Sequence, residues 1–203
     1  LESQQNRLVN PECRSVLDLL TSKDEIRDLC YRYARGSDRL DAETFASAFW
    51  EDGGFNRPSG GEPFATFANA LAVIMGEHFQ ITHHLNGNVL IDFSDEDHAS
   101  TEVYFRAFHL TRPDMTPDQL RFIVGERRLI ELAHREGDVY DIAVGGRYLD
   151  EVERRDGSWR ITLRRLIFDY CTVRHSETLA EGEGMSTQSA APMARDRSDP
   201  SYA

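Results

Sequence analysis

An α+β fold, with helices gathered ahead of a bent antiparallel sheet, is what this sequence predicts. Three observations carry the prediction. Up to Phe79 apolar residues recur at helical spacing, and from Ile81 onward they recur every second residue. Turn-forming clusters such as Ser94-Asp95-Glu96-Asp97 and Arg155-Asp156-Gly157 separate the long alternating stretches. At 203 residues, 40% of them hydrophobic, the chain is long enough for one domain with its own core. The reading divides it into an extension over residues 1–14, one domain over 15–176 with an insertion at 111–138, and a flexible tail over 177–203.

Taken in order, Pro11 to Leu20 reads as a short helix with Val16, Leu17 and Leu20 on one side. A second, longer helix runs from Ser22 to Asp38. Ser22 and Glu25 have capping-box spacing, and Ile26, Leu29, Cys30, Tyr33 and Ala34 form one apolar stripe. Gly36 is placed as the residue that closes this helix. Asp41 caps a further helix whose buried side is marked by Phe45 and Phe49, and Phe55 opens a short strand. Phe64 to Phe79 forms the next helix. Strands are expected over Ile81–Phe93, Ser100–Leu110, Val139–Glu153 and Trp159–Val173. Within the insertion, Thr116 and Pro117 open a helix that Gly137 closes, with Gly125 as an unfavourable interior residue. The tail has too few large apolar residues to fold alone, and is read either as disordered or as a strap across a neighbouring subunit.

Charge and composition narrow the function. A net charge of −12 repels nucleic acid and anionic membranes. No apolar run approaches the ~20 residues of a membrane span. Cys13, Cys30 and Cys171 are odd in number and scattered, which points to a reduced cytoplasm and against a disulfide framework or a zinc site. The acidic turn at residues 95–97 has no further ligand spaced with it, so no metal site is expected.

Two residues sit oddly in the long helix. Tyr33 puts a phenol on the buried stripe, and Asp38 puts a carboxylate at the negative end of the helix dipole. The strand Ile81–Phe93 adds adjacent His83 and His84, which alternation sends to opposite faces. The series His83, Leu85, Val89, Ile91, Phe93 is apolar and the series His84, Asn86, Asn88, Asp92 is polar, so alternation puts His83 in the core. Aspartate, histidine and tyrosine together can do acid–base chemistry unaided, the carboxylate orienting an imidazole that exchanges a proton near neutral pH. The mainly aromatic set Tyr33, Phe49, Tyr104, Phe105 and Tyr148 suits a flat apolar substrate.

The segments Tyr33 to Asp38, Phe49-Trp50-Glu51-Asp52, Thr82-His83-His84-Leu85-Asn86-Gly87-Asn88, and Gly145-Gly146-Arg147-Tyr148 through Ile161 together resemble the SnoaL-like branch of the nuclear-transport-factor-2-like superfamily. The resemblance covers about Ser15 to Val173. It implies a cone, in which a curved sheet wraps three to four helices around a pocket. Its lyase members include scytalone dehydratase, hexachlorocyclohexane dehydrochlorinase, bile-acid 7α-dehydratase and diarylpropane lyases. By that likeness Asp38 and His84 are the catalytic pair, with Tyr33 as third member. His109, Arg164 and Tyr148 fall on pocket positions, Arg165 replacing Arg164 after a one-residue slip; alternatively Arg164 faces solvent or pairs with Asp169.

The activity implied is a cofactor-independent lyase that removes water or formaldehyde from an aromatic or alicyclic alcohol, a lignin-derived diarylpropane among the options. The alternatives are a binding or assembly module like the small subunit of ring-hydroxylating dioxygenases, or an epoxide hydrolase or isomerase. A homodimer or homotrimer is expected through the outer sheet face, which alternates too little to meet water freely.

Overall fold

The computed structural model describes residues 11–56, 60–177 and 194–203. The elements run α1 (Pro11–Asp38), α2 (Ala42–Ala46), β1 (Phe49–Phe55), α3 (Phe64–His78), β2 (Phe79–Phe93), β3 (His98–Thr111), α4 (Pro117–Ile123), α5 (Glu126–Glu131), β4 (Tyr140–Arg155) and β5 (Ser158–His175). One sheet has the strand order β1-β5-β4-β3-β2. All its neighbours are antiparallel except β1, which joins the edge parallel to β5. The helices cover one face, and the core lies between them and the sheet. Among the described residues no helix is long and apolar enough to cross a membrane.

The expected pair of N-terminal helices is one helix, α1, of 28 residues. Nothing at Thr21–Ser22 breaks it, and extending a formed helix avoids the cost of nucleating a second. Ser22 is therefore a buried interior residue and not a cap. The stripe from Ile26 to Ala34 is buried as expected, whereas Val16, Leu17, Leu19 and Leu20 are exposed on an overhanging arm.

Gly36 does not close α1 either. A Cβ there would collide with the backbone of Phe45, so the missing side chain lets α2 cross α1 at close range. The left-handed residue after the helix is Leu40, at φ 52°. Asp41 N–H reaches back to the Gly36 carbonyl at 2.9 Å to complete the C-terminal turn. Asp41 caps α2 by accepting from Thr44 N–H at 3.0 Å. α2 is short, and Phe49 belongs to β1.

The insertion holds two short helices instead of one. Thr116 and Gln119 form a reciprocal capping box on α4. Gly125, at φ 90°, ends that helix and starts α5. The segment 178–193 of the expected tail lies outside the described residues. Residues 194–203 depart from that expectation and pack on the body as a strap. Asp199 caps a 3₁₀ turn over Pro200–Tyr202, the Tyr202 hydroxyl donates to Asp41 at 2.8 Å, and Arg39 pairs with Asp199 at 3.3 Å.

Candidate active site

The polarity of β2 is inverted by a bulge. Asn86 pairs with Phe105 and Val89 pairs with Val103, so Gly87 and Asn88 together oppose Tyr104. Before the bulge, Thr82, His84 and Asn86 face the helices. After it, Val89, Ile91 and Phe93 do. Strict alternation had placed His83 in the core. Instead the extra residue shifts the parity, leaving His83 exposed and bringing His84 inward.

His84 meets the end of α1 there. Its Nδ1 lies 2.7 Å from Asp38 Oδ1, and because a carboxylate only accepts, the ring donates through Nδ1–H. Thr82 Oγ1 donates to the same oxygen at 2.9 Å, and His84 backbone N–H donates to Oδ2 at 2.9 Å. Burial raises the Asp38 pKa, but the hydrogen bond from the His84 ring, its charge and the bonds from the His84 backbone and Thr82 outweigh it. The carboxyl therefore sits below the usual carboxylate range and is ionised at neutral pH. These donors also offset the unfavourable dipole end on which Asp38 sits. With Nδ1 committed, Nε2 is the nitrogen left for proton exchange.

Around this pair the inner face is aromatic. Tyr33 presents its ring edge-on to His84 at 6.4 Å and to Tyr148 at 5.2 Å. Phe105 stacks on Tyr148 at 4.3 Å. His109 stands edge-on to His84 at 5.4 Å and against Phe79 at 4.9 Å. Burial and the charge of His84 pull the His109 pKa down to about 3, so this imidazole is neutral at physiological pH. Its Nδ1 and the nearby Asn86 Oδ1 are buried polar atoms with no protein partner among the described residues. Burial also raises the Tyr33 phenol, against the lowering effect of Arg164, so it remains a proton donor. On the opposite side of α1 a groove of about 450 Å³, lined by Tyr31, Arg35, Asp38, His83, His84 and Ser201, leads to the dyad.

Four residues named for the pocket, Arg165 among them as the alternative to Arg164, lie elsewhere. Arg164 is fully buried and binds Asp150 through two parallel bonds of 2.7 and 2.6 Å. It does not pair with Asp169, which binds Arg147 at 3.2 Å. Its guanidinium lies 4.2 Å from the ring centres of both Tyr33 and Tyr148, so it supports those side chains from behind. Arg165 points to the outer face, against Glu151 at 2.8 Å. Tyr104 is on the outer face too, about half exposed, because neighbours on a strand cannot share a side and Phe105 points inward. Phe49 is a core residue stacked on Phe64 with ring centres 3.8 Å apart.

Four contributors were missed. Thr82 was legible, since period two puts it beside His84. Asn86 stood in the polar series, but nothing gave its orientation. Asp150 is opposite Arg164 across β4 and β5, a register the sequence does not fix. Arg195, on the strap, donates to Thr82 Oγ1 at 2.9 Å and to the Asp38 carbonyl at 3.2 Å. Its signal was Asp199-Pro200 downstream, an N-cap followed by N1 proline, which marks an ordered turn.

Comparisons with known proteins place the chain in a family and agree with the fold. A family model described as a SnoaL-like domain matches residues 18–165. A hexachlorocyclohexane dehydrochlorinase, LinA type 2, is similar in structure with a TM-score of 0.62 at 20% identity, over 82% of this chain and 98% of its own. LinA type 3 from Novosphingobium barchaimii has a TM-score of 0.58 at 20% identity, over 77% and 92%. A provisionally assigned scytalone dehydratase from Novosphingobium aromaticivorans has 0.56 at 23% identity, over 83% and 99%. At these identities the likeness shows a shared fold. No match to a curated protein was found.

Proposed function

We propose, from the premise that this chain belongs to the SnoaL-like domain family, that it is a cofactor-independent lyase acting on an apolar, ring-containing alcohol. The observation that carries the reading is the 2.7 Å contact between His84 Nδ1 and Asp38 Oδ1 beneath an aromatic wall. Asp38 fixes the tautomer and stabilises the imidazolium that forms when Nε2 takes a proton. In this reading Tyr33, held protonated by burial, is the group that donates to a departing oxygen. Phe105, backed by the ring of Tyr148, supplies an apolar surface beside the dyad and excludes water.

Two outcomes follow from where the proton is taken. Removal from carbon, with C=C formation and C–O cleavage, expels hydroxide that Tyr33 protonates to water. Removal from a hydroxymethyl O–H, with C=O formation and C–C cleavage, releases formaldehyde, and the electron pair passes to the neighbouring carbon to be protonated there. The names of the dehydrochlorinases and of the provisionally assigned dehydratase support elimination chemistry on this scaffold. A panel of aryl-propane diols, hydroxysteroids and polyketide alcohols, incubated with chelator-treated protein and read by mass spectrometry, tests the proposal. Loss of one water or of one formaldehyde is the expected result. Turnover only on adding a metal or a nicotinamide would overturn it, as would full activity in both Asp38→Asn and His84→Ala.

A further inference from the structure

The strap places a charged side chain behind the dyad. Arg195 is partly buried where the C-terminal ends of α1 and α3 converge. Its Nε donates to the Asp38 carbonyl at 3.2 Å and Nη2 to the Ser37 carbonyl at 3.4 Å. Nη1 donates to the Phe79 carbonyl at 2.6 Å and the Met75 carbonyl at 3.3 Å. One guanidinium thus donates to carbonyls at two helix ends, among them Met75, which also accepts from Phe79 N–H, and a cation there is favoured by both dipoles. Nη2 further donates to Thr82 Oγ1 at 2.9 Å, whose own proton goes to Asp38 Oδ1. A continuous chain therefore runs from Arg195 through Thr82 and Asp38 to the His84 ring.

We propose that Arg195 is a positioning residue for the dyad, which fixes Asp38 through Thr82 and holds His84 toward its neutral, proton-accepting form. A carboxylate in direct contact stabilises the imidazolium and pushes a general base toward being protonated at rest. A cation two hydrogen bonds away, acting through a hydroxyl that draws on the same carboxylate oxygen, opposes that push. The charged groups around this region come from every neighbouring element: α1 presents Asp28, Arg32, Arg35, Asp38 and Arg39, β2 presents His83 and His84, and β3 presents His109. The strap adds Asp199, paired with Arg39 at 3.3 Å, and α3 ends in the buried His78 beside its carbonyls. Burial and Arg39 lower the Arg195 pKa to about 10, against the opposing pull of Asp38, so the guanidinium is charged at neutral pH. Its field also reaches the inner face, where it lowers His109.

The proton-accepting role rests on the proposed lyase reading, but the charge coupling does not, and it is tested without substrate. In the full chain labelled with ¹⁵N-histidine, the titration midpoint of His84 is followed by NMR and assigned with His84→Gln. Arg195→Gln is expected to raise the midpoint by about half a unit to one unit, and Arg195→Lys to stay near the parent value. An unmoved midpoint with a lowered melting temperature would make Arg195 a clip for two helix ends and overturn the proposal. So would an equal rise in the Lys and Gln variants. If Arg195→Gln does not fold, Thr82→Val cuts the same chain at its middle and carries the same expectation; an unmoved midpoint there overturns it. Should the protein turn over an alcohol, the acidic limb of its kcat/KM profile moves up with the midpoint. Absence of turnover with a shifted midpoint counts against the lyase reading alone.

Discussion

Two aspartates on the inner side of this fold each hold a basic partner, and the partners decide what each pair can do. Asp38 holds His84 with about a tenth of either side chain exposed, while Asp150 holds Arg164 with essentially none. The first base, an imidazole, has both a neutral and a protonated form, so its carboxylate can orient it, stabilise the charged form and let it cycle. The second never gives up its proton, so its pair is permanent and can only hold what lies against it. What lies against it is Tyr33 and Tyr148, the aromatic wall of the first pair. The fixed pair braces the titrating one.

Breaking the titrating pair has the largest expected effect. Asp38→Asn or His84→Ala should lower turnover of any substrate found by ~10²–10⁴-fold, measured as kcat at saturation. Melting temperature should change little in His84→Ala, because the site keeps its aromatic packing, and should fall in Asp38→Asn, where three donors lose their ionised acceptor. The fixed pair should behave oppositely. Asp150→Ala leaves a buried guanidinium uncompensated and is expected to cost about 3–5 kcal/mol of unfolding free energy, measured by urea denaturation. Replacing both, as Asp150→Leu with Arg164→Met, should recover most of that stability, since two buried charges are desolvated no longer. If Asp150→Ala were as stable as the parent, the bracing argument would fail.

Acid should separate the pairs as well. His109 and Asp38 both hold fewer protons folded than unfolded, His109 because burial lowers it from 6.5 to about 3, and Asp38 because its donors lower it from 3.8. Unfolding then becomes easier as pH falls, first from about 6.5 downward through His109 and again below about 3.8 through Asp38. The contribution is fully present above those values and is lost on acidification. His109→Phe should flatten the upper part of the profile and leave the lower part, as thermal melts from neutral to acid pH would show.

The sequence exposed the titrating pair more readily than the fixed one, for physical reasons. Asp38 at the wrong end of a helix and Tyr33 on an apolar stripe violate local rules, and violations are visible in a string of letters. The four long strands follow from period two, with observed bounds within two residues of the expected ones, whereas β1 ends at Phe55, where a strand was expected to begin. Arg164 and Asp150 violate nothing locally. Their pairing depends on the register between β4 and β5, which includes shifts at Gly145/Gly146 and Glu151/Val152. The parity of His84 was hidden for a similar reason, since a bulge at Gly87–Asn88 inverts a pattern that alternation reads one way only. Gly36 carried a real signal with two meanings, helix end or close approach, and only the crossing of α2 decides between them. Composition left the tail as disordered or as a strap on a neighbouring subunit, and residues 194–203 strap the chain's own body. A polar segment that folds nothing by itself is ordered by charges on the body, among them Arg35, whose guanidinium lies 4.5 Å from the Tyr202 ring centre.

The smallest effect is expected one residue from the largest structural one. Arg165 and Glu151 form an ion pair of 2.8 Å that resembles the Arg164–Asp150 pair in chemistry and spans the same two strands. They differ by one position each, and so by which face they occupy. About half of each side chain remains in water, where the charges are screened and the bond replaces hydration it has not fully lost. Arg165→Ala should therefore cost about 0.5 kcal/mol or less, and that residue should shrink further as salt is added. Turnover should not change, because nothing links Arg165 to the inner face. Urea denaturation of Arg165→Ala beside Asp150→Ala makes the comparison direct. A loss in the Arg165 variant comparable to that of the buried pair would mean that the two faces of the sheet are not as unlike as their burial makes them. It would also place the outer face under cover, as the expected packing of that face against a second copy requires, and a matching change in sedimentation would identify that cover.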